Sequence, residues 1–340
     1  KYVAEKLRRA LAEVVFHWED RSFRLTASIG LAEISERVPD VTWVLRAADT
    51  ACHLAKDMGR DRVHAFEESD QAVAEHYSGL RWLGSIQRAL DDDRLYLYAQ
   101  RIEHLRGGPD HFEVLVRLMD ENGQMHTPGG FLPAAERYGL AGMVDMRVLE
   151  KTLAVMAECP DWPAAGGRCH VNVSGASVSS HDFHDFVVRV LERYRVSGQR
   201  LCFEITETSA MANLNDAWRF FDLVCNRGVS IALDDFGSGM SSFNYLRNLP
   251  AAMLKIDGAF VRDMVSEQRD YAVVRAINDV AEALDKTTVA EFVETGETMR
   301  QLRELGVDYA QGFAIHRPEP LEQLLPAPAD RVAEPRPRWS

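Results

Sequence analysis

Cationic side chains are in short supply: 39 Lys and Arg stand against 52 Asp and Glu in 340 residues, a formal net charge of −13. So negative a surface is repelled by nucleic-acid polymers and anionic membranes, and neither is expected as a partner. A small anionic ligand is not excluded, because a metal ion or a few Arg and Lys reverse the sign locally. Cysteine is sparse too. Cys52, Cys159, Cys169, Cys202 and Cys225 are scattered, odd in number and form no Cys-x-x-Cys pair. Small buried thiols in a reducing cytoplasm are the default reading. No apolar run approaches the ~20 residues that span a bilayer, so no direct membrane contact is expected of this chain. No signal peptide is visible. The first residue is Lys1 rather than Met, so upstream sequence is expected, with room for a membrane tether. No Gly-x-Gly-x-x-Gly turn marks a dinucleotide site.

What the chain does have is alternation. From Leu95 onward, short apolar runs at 95–102, 111–118, 169–174, 201–206, 229–235, 252–256, 287–292 and 308–313 read as strands. Helical spacing falls between most of them, at 130–140, 143–158, 180–194, 213–227, 241–247, 268–284 and 296–305. Eight strands alternating with helices predict an α/β fold, a (β/α)8 TIM-like barrel, with a doubly wound sheet as the alternative. Ahead of it, helical spacing over Tyr2–Val15 and Trp43–Met58 and strands over Phe23–Ile34 and Arg62–Phe66 predict a small α/β piece. The layout is then 1–68 for that piece, 69–80 for a linker, 81–325 for the barrel and 326–340 for a flexible tail rich in Pro and Arg.

Polar residues interrupt the apolar strands at Glu113, Asn172, Glu204, Asp234, Lys255 and Glu291. Alternate residues of a barrel strand point inward, so these six converge if the sheet closes. Four carboxylates in one mouth cannot all stay ionised without cations. An all-oxygen donor set favours Mg2+ or Mn2+ over zinc. The adjacent pair Asp234-Asp235 suits two ions sharing one Asp, which together activate a water and neutralise an in-line phosphoryl displacement. Lys255 then holds or deprotonates that water, and a depressed pKa is expected beside two cations. His170 and His316 lie near strand ends and read as structural or solvent-facing.

Seven motifs follow one another in order: Glu113-Val114-Leu115-Val116-Arg117, Val171-Asn172-Val173-Ser174, Glu204-Ile205-Thr206-Glu207, Asp234-Asp235-Phe236-Gly237-Ser238-Gly239-Met240-Ser241-Ser242, Lys255-Ile256-Asp257, Ala290-Glu291-Phe292-Val293-Glu294-Thr295 and Gln311-Gly312-Phe313. Together they resemble the EAL family of cyclic-di-GMP phosphodiesterases over about residues 78–325. Upstream, Leu25–Ala32, Ala47–Cys52 and Ala55–Val63 are similar to the C-terminal half of a GGDEF (diguanylate cyclase) domain, a ferredoxin-like fold of the nucleotide-cyclase type. The Gly-Gly-Asp-Glu-Phe signature itself is absent, so no cyclase chemistry is carried over.

The resemblance implies hydrolysis of cyclic di-GMP to linear pGpG in bacterial second-messenger signalling. It assigns Glu113, Asn172, Glu204 and Asp234 to one metal, and Asp234 and Asp235 to the second with Glu291 close by. Lys255 positions the water, and Glu207 braces the loop after Asp235. Arg117 pairs with a phosphate, Gln100 and Leu115 contact a guanine, and Asp257, Glu294 and Gln311 give supporting contacts. A homodimer through the 235–246 loop and the following helix is implied as well. Phe292 stands where Gly is usual; if it points away from the pocket, it packs under a helix. The alternatives are a receptor that binds cyclic di-GMP without cleaving it, a dimerisation module, and a Lys-and-carboxylate barrel of the enolase type.

Overall fold

A computed structural model describes residues 1–12, 14–18, 21–24, 26–35, 40–67, 82–237 and 246–326. The linker expected at 69–80, most of the helix expected at 241–247 and nearly all of the tail lie outside these residues. The chain divides into two compact units, Lys1–Gly84 and Ser85–Ser340.

The first unit holds a helix over Tyr2–Ala12, a hairpin of β1 (Val15–Trp18) and β2 (Arg21–Arg24), β3 (Ile29–Leu31), a helix over Val41–Asp57, and β4 (Val63–Ala65) parallel to β3. The hairpin was not expected, because Phe23–Ile34 reads as one strand. The longer helix starts at Asp40, whose carboxylate accepts from Trp43 N at 2.6 Å. It buries Ala47, Ala51, Leu54 and Ala55. Gly30 permits the close approach of β3 to that helix: a Cβ there would lie 2.2 Å from Ala48 O.

The second unit is a closed barrel. Its ring strands are β5 (Leu95–His104), β6 (His111–Met119), β8 (Cys169–Asn172), β9 (Leu201–Thr206), β10 (Ser230–Phe236), β11 (Met253–Ile256), β12 (Thr287–Ala290) and β13 (Tyr309–Ala310); β7 (Met125–His126) and β14 (Glu319–Pro320) pair outside the ring with β6 and β5. Adjacent ring strands pair in chain order from β6 to β13, all parallel, and β5 closes the circle. One feature departs from a uniform (β/α)8 barrel: β5 is antiparallel to both β6 and β13. Residues 105–110 are too few for a helical crossover, so β5 and β6 form a hairpin.

The period-2 pattern sorts the ring interior into layers. Ile102, Cys202, Ala232, Met253, Val289 and Tyr309 form one buried apolar cluster. Two residues further along those strands stand Gln100 on the reversed β5, Glu204, Asp234, Lys255, Glu291 and Gln311. The apolar layer is thus the floor on which the polar layer rests, at the carboxyl ends of the parallel strands.

Candidate active site

Lys255 lies at the centre. It is 1% exposed, and its Nζ is 2.7 Å from Glu291 Oε1, 2.8 Å from Glu204 Oε2, 3.0 Å from Asp234 Oδ1 and 3.8 Å from Glu113 Oε2. Burial alone would lower the pKa of this ammonium. The charges of Asp234, Glu113, Glu204 and Glu291 outweigh burial and hold the pKa well above its ordinary value. With the acids alone beside it, Lys255 is a firm cation and donates N–H; the depressed pKa expected from sequence refers to the site with two cations beside it.

The acids divide. Burial raises the Glu291 carboxyl to about 8, with Asp234 and Glu113 adding to it against the pull of Lys255. Glu204 also moves well up, through burial and then the charges of Glu113 and Asp234. Glu113 goes the other way: burial is outweighed by Lys255 and by hydrogen bonds from Gln311 and Asn172. Gln311 Nε2 donates to Glu113 Oε2 at 2.6 Å, and Asn172 Nδ2 donates to Oε1 at 2.7 Å. Asp235 is raised by burial and by the neighbouring Asp234.

Strict alternation would send Asp234 and Asp235 to opposite faces of β10. The register between β10 and β11 slips between Leu233 and Phe236, and Asp235 takes a left-handed backbone at φ 53. With that bulge, oxygens of Asp234, Asp235 and Glu291 all lie within 4.8 Å of one another. Gly237 continues the turn at φ 101, and its N–H donates to Glu207 Oε2 at 3.1 Å. Glu207 is buried at the start of the helix Glu207–Ala212. Gly312 is needed for a different reason: a Cβ there would lie 2.2 Å from Val293 O. That close approach sets Gln311 beside Glu291, with Val293 N donating to Gln311 O at 3.0 Å.

A cavity of about 310 Å3 opens over this cluster. Its walls include Gln100, Glu113, Leu115, Asp234, Asp235, Lys255, Glu291, Glu294 and Gln311, while Glu204 lies outside the walls. Arg117 is on the same strand face as Glu113 and Leu115 but is not a wall residue; it covers the Tyr98 ring at 5.0 Å and donates to Val116 O. Asp257 is not a wall residue either, and its Oδ1 caps the helix Gly258–Val261 through Ala259 N at 2.8 Å. Phe292 does not point away from the pocket. At φ 51 it rests on the bare Cα of Gly258 under Arg262, yet it lines the cavity and is 52% exposed. Phe313 stands on the rim as well, with Arg317 over its ring at 4.5 Å.

Three further residues support the site: the sequence marks only His170, as structural or solvent-facing, and leaves His111 and Tyr309 unmarked. His170, on β8, puts Nδ1 2.7 Å from Glu204 Oε1. His111, on β6, puts Nδ1 2.9 Å from His170 Nε2, and Tyr309 OH is 3.3 Å from His111 Nε2. Burial lowers both imidazoles, His111 to about 4 and His170 well below its ordinary value. The signal was available: His111 and His170 stand two residues before Glu113 and Asn172, on the same inward face.

Asp234 Oδ1 is buried and accepts no hydrogen bond, its contact with Lys255 Nζ at 3.0 Å being an ion pair. An orphaned carboxylate oxygen, two further acids within 4.8 Å and an all-oxygen donor set fit a hard divalent cation. Among the described residues no helix is long and apolar enough to cross a membrane.

The family model for the EAL domain matches residues 83–318. The cyclic di-GMP phosphodiesterase PdeB of Shewanella oneidensis is 33% identical over 339 residues, 98% of this chain and 39% of that protein. The cyclic di-GMP phosphodiesterase PdeF of Escherichia coli is 38% identical over 244 residues, 72% of this chain and 32% of that protein. The chain therefore spans less than half the length of either relative. A solved structure described as the PaMucR phosphodiesterase in complex with c-di-GMP is 34% identical, with a TM-score of 0.69, covering 72% of this chain and all of that one. With its closed barrel and its acids gathered at the strand ends, the chain belongs to the EAL domain family.

Proposed function

We propose that this chain hydrolyses cyclic di-GMP to linear pGpG with the help of two divalent cations, Mg2+ or Mn2+. The observation that carries this reading is the convergence of Asp234, Asp235 and Glu291 beside Lys255 under one cavity. The names of the relatives support the substrate. Glu113, Asn172, Glu204 and Asp234 would hold one cation; Asp234 and Asp235 would hold the other, with Glu291 adjacent. Bound there, the cations supply a water acidic enough to ionise near neutral pH and neutralise charge on the phosphate.

The protein groups do the rest. Lys255, kept cationic by its four acids, holds and orients the water by donating N–H. Gln311 and Asn172 fix both oxygens of Glu113, so that carboxylate enters the reaction already oriented. The exposed faces of Phe292 and Phe313 suit the flat guanines, and Arg117, on the same strand face as the wall residues Glu113 and Leu115, suits a phosphate. From the resemblance alone, we also read residues 1–68 as the end of a GGDEF-type domain, the 235–246 loop with its following helix as a homodimer contact, and the cytoplasm as the location. The alignment with PdeB, which runs through the leading unit, supports common descent for that unit.

A turnover assay on cyclic di-GMP with added Mg2+, Mn2+ or Ca2+, read as appearance of pGpG, tests the reading. Tight binding with no linear product under any cation would replace the enzyme with a receptor.

Two further outcomes follow. Glu207→Ala should lower metal-dependent turnover by roughly 10-fold or more, because Gly237 loses the acceptor that holds the turn after Asp235. Wild-type turnover together with wild-type Mn2+ affinity would show that this brace is idle. The second concerns pH. Glu291 titrates near 8, so below that value a proton occupies an oxygen that the cation needs. Mn2+ affinity should therefore rise from pH 6 to about 8 and then level off, with protons released on binding. Calorimetry in buffers of different ionisation enthalpy reads this directly, and equal affinity at pH 6 and pH 8 would contradict it.

A further inference from the structure

We infer that His170 is a positioning residue for Glu204, the end of a hydrogen-bonded strut that runs from Tyr309 through His111 across the floor of the barrel. The inference rests on the proposal that Glu204 is a cation ligand.

The geometry sets the direction of each bond. As a cation ligand Glu204 is ionised and its carboxylate only accepts, so His170 Nδ1 carries the proton that reaches Glu204 Oε1 at 2.7 Å. A neutral ring then leaves Nε2 to accept, and its partner at 2.9 Å is His111 Nδ1, which must be the donor. Nε2 of His111 in turn accepts from Tyr309 OH at 3.3 Å. Three residues on β8, β6 and β13 thus end on one carboxylate oxygen. His170 is 0% exposed, His111 2% and Glu204 1%, so water does not replace any of these bonds.

The other oxygen, Oε2, faces Lys255 at 2.8 Å. The strut therefore leaves Glu204 one committed oxygen and one turned toward the centre of the site. Without the His170 N–H, Oε1 is a buried acceptor with no donor, and the carboxylate is no longer tied to one orientation. Tyr309 supplies the O–H that His111 Nε2 accepts in this tautomer, which the Glu204 carboxylate sets from the other end. If His111 carried its proton on Nε2, His170 would have to donate from Nε2, and its bare Nδ1 would meet the carboxylate.

The test uses the full chain and Mn2+ alone. An Asn amide nitrogen lies close to where imidazole Nδ1 lies, and a Gln amide nitrogen close to where Nε2 lies. His170→Asn should keep Mn2+ affinity within about 3-fold of the unsubstituted chain, whereas His170→Gln and His170→Leu should weaken it about 10- to 100-fold, the range for losing a partner that orients a ligand. Asn and Gln are both buried amides, so a general folding defect would not separate them. Affinity for Leu or Gln equal to the unsubstituted chain, or Asn as weak as Leu, would overturn the inference while leaving the metal reading intact. Absence of Mn2+ binding by the unsubstituted chain would overturn both. Independently of any variant, 15N spectra of the histidine-labelled protein should show His170 protonated on Nδ1 and bare on Nε2, and the opposite tautomer would overturn the strut.

Discussion

Replacing Lys255 with Ala should reduce turnover on cyclic di-GMP by at least ~10²-fold, the lower end for removing a group that handles the reacting proton or its water. The same substitution should leave Mn2+ binding intact or tighter. Lys255 is the counter-charge for Glu113, Glu204, Asp234 and Glu291. Removing it leaves four acids facing one another, and a divalent ion is then the remaining way to balance them. For the same reason the metal-free variant should lose stability, by about 3–5 kcal/mol if it behaves like other broken buried ion pairs. Part of that loss should return when Mn2+ is added. Paired denaturation curves, with and without Mn2+, check the stability arm. Turnover at the unsubstituted level would refute the role given to Lys255. Loss of Mn2+ binding would refute the picture of Lys255 and the cations as alternative counter-charges for one set of acids.

Asp234→Asn should have an effect on turnover on the order of 10³-fold or more, because one residue is proposed to serve both cations. The change is nearly isosteric, so the barrel should stay folded and the loss should be chemical. It removes a negative charge 3.0 Å from Lys255 Nζ and, in one amide orientation, turns an NH2 toward that ammonium. Mn2+ stoichiometry should fall along with affinity. Asp235→Asn is the informative companion. Asn adopts the left-handed backbone of position 235 about as readily as Asp does, so the bulge should survive. Only the second cation should then be weakened. Equal Mn2+ binding by the Asp234 variant and the unsubstituted chain would remove the shared-ligand assignment.

Much of the barrel was legible because its strands are short, apolar and separated by helical spacing. All eight ring strands lie within the expected runs or a residue or two beyond them. Period 2 also identified which polar residues share the inward face: Glu113, Asn172, Glu204, Asp234 and Lys255 stand on ring strands, with Glu291 just past the end of β12. The reversed β5 was implicit in the six residues between β5 and β6, where no helix was expected. The pairing of β1 with β2 in the leading unit was not foreseen, because a run of mixed residues shows no clear break in alternation.

Other features could not be read along the chain. Asp235 joins Asp234 only because the sheet slips at that point, and a slip depends on how β10 meets β11. The raised pKa of Lys255 beside the acids alone comes from carboxylates that different strands bring to it, a sum over neighbours that are far apart in sequence. Phe292 turns to the cavity because Gly258, on another strand's exit, gives its ring a place to rest. The His170 strut needs β6, β8 and β13 side by side. Local sequence thus determined which residues face inward, since side-chain direction along a strand follows from its own backbone. Closure of the ring decided which of them meet and what charge each bears, because distances and fields between strands exist only once the sheet has closed.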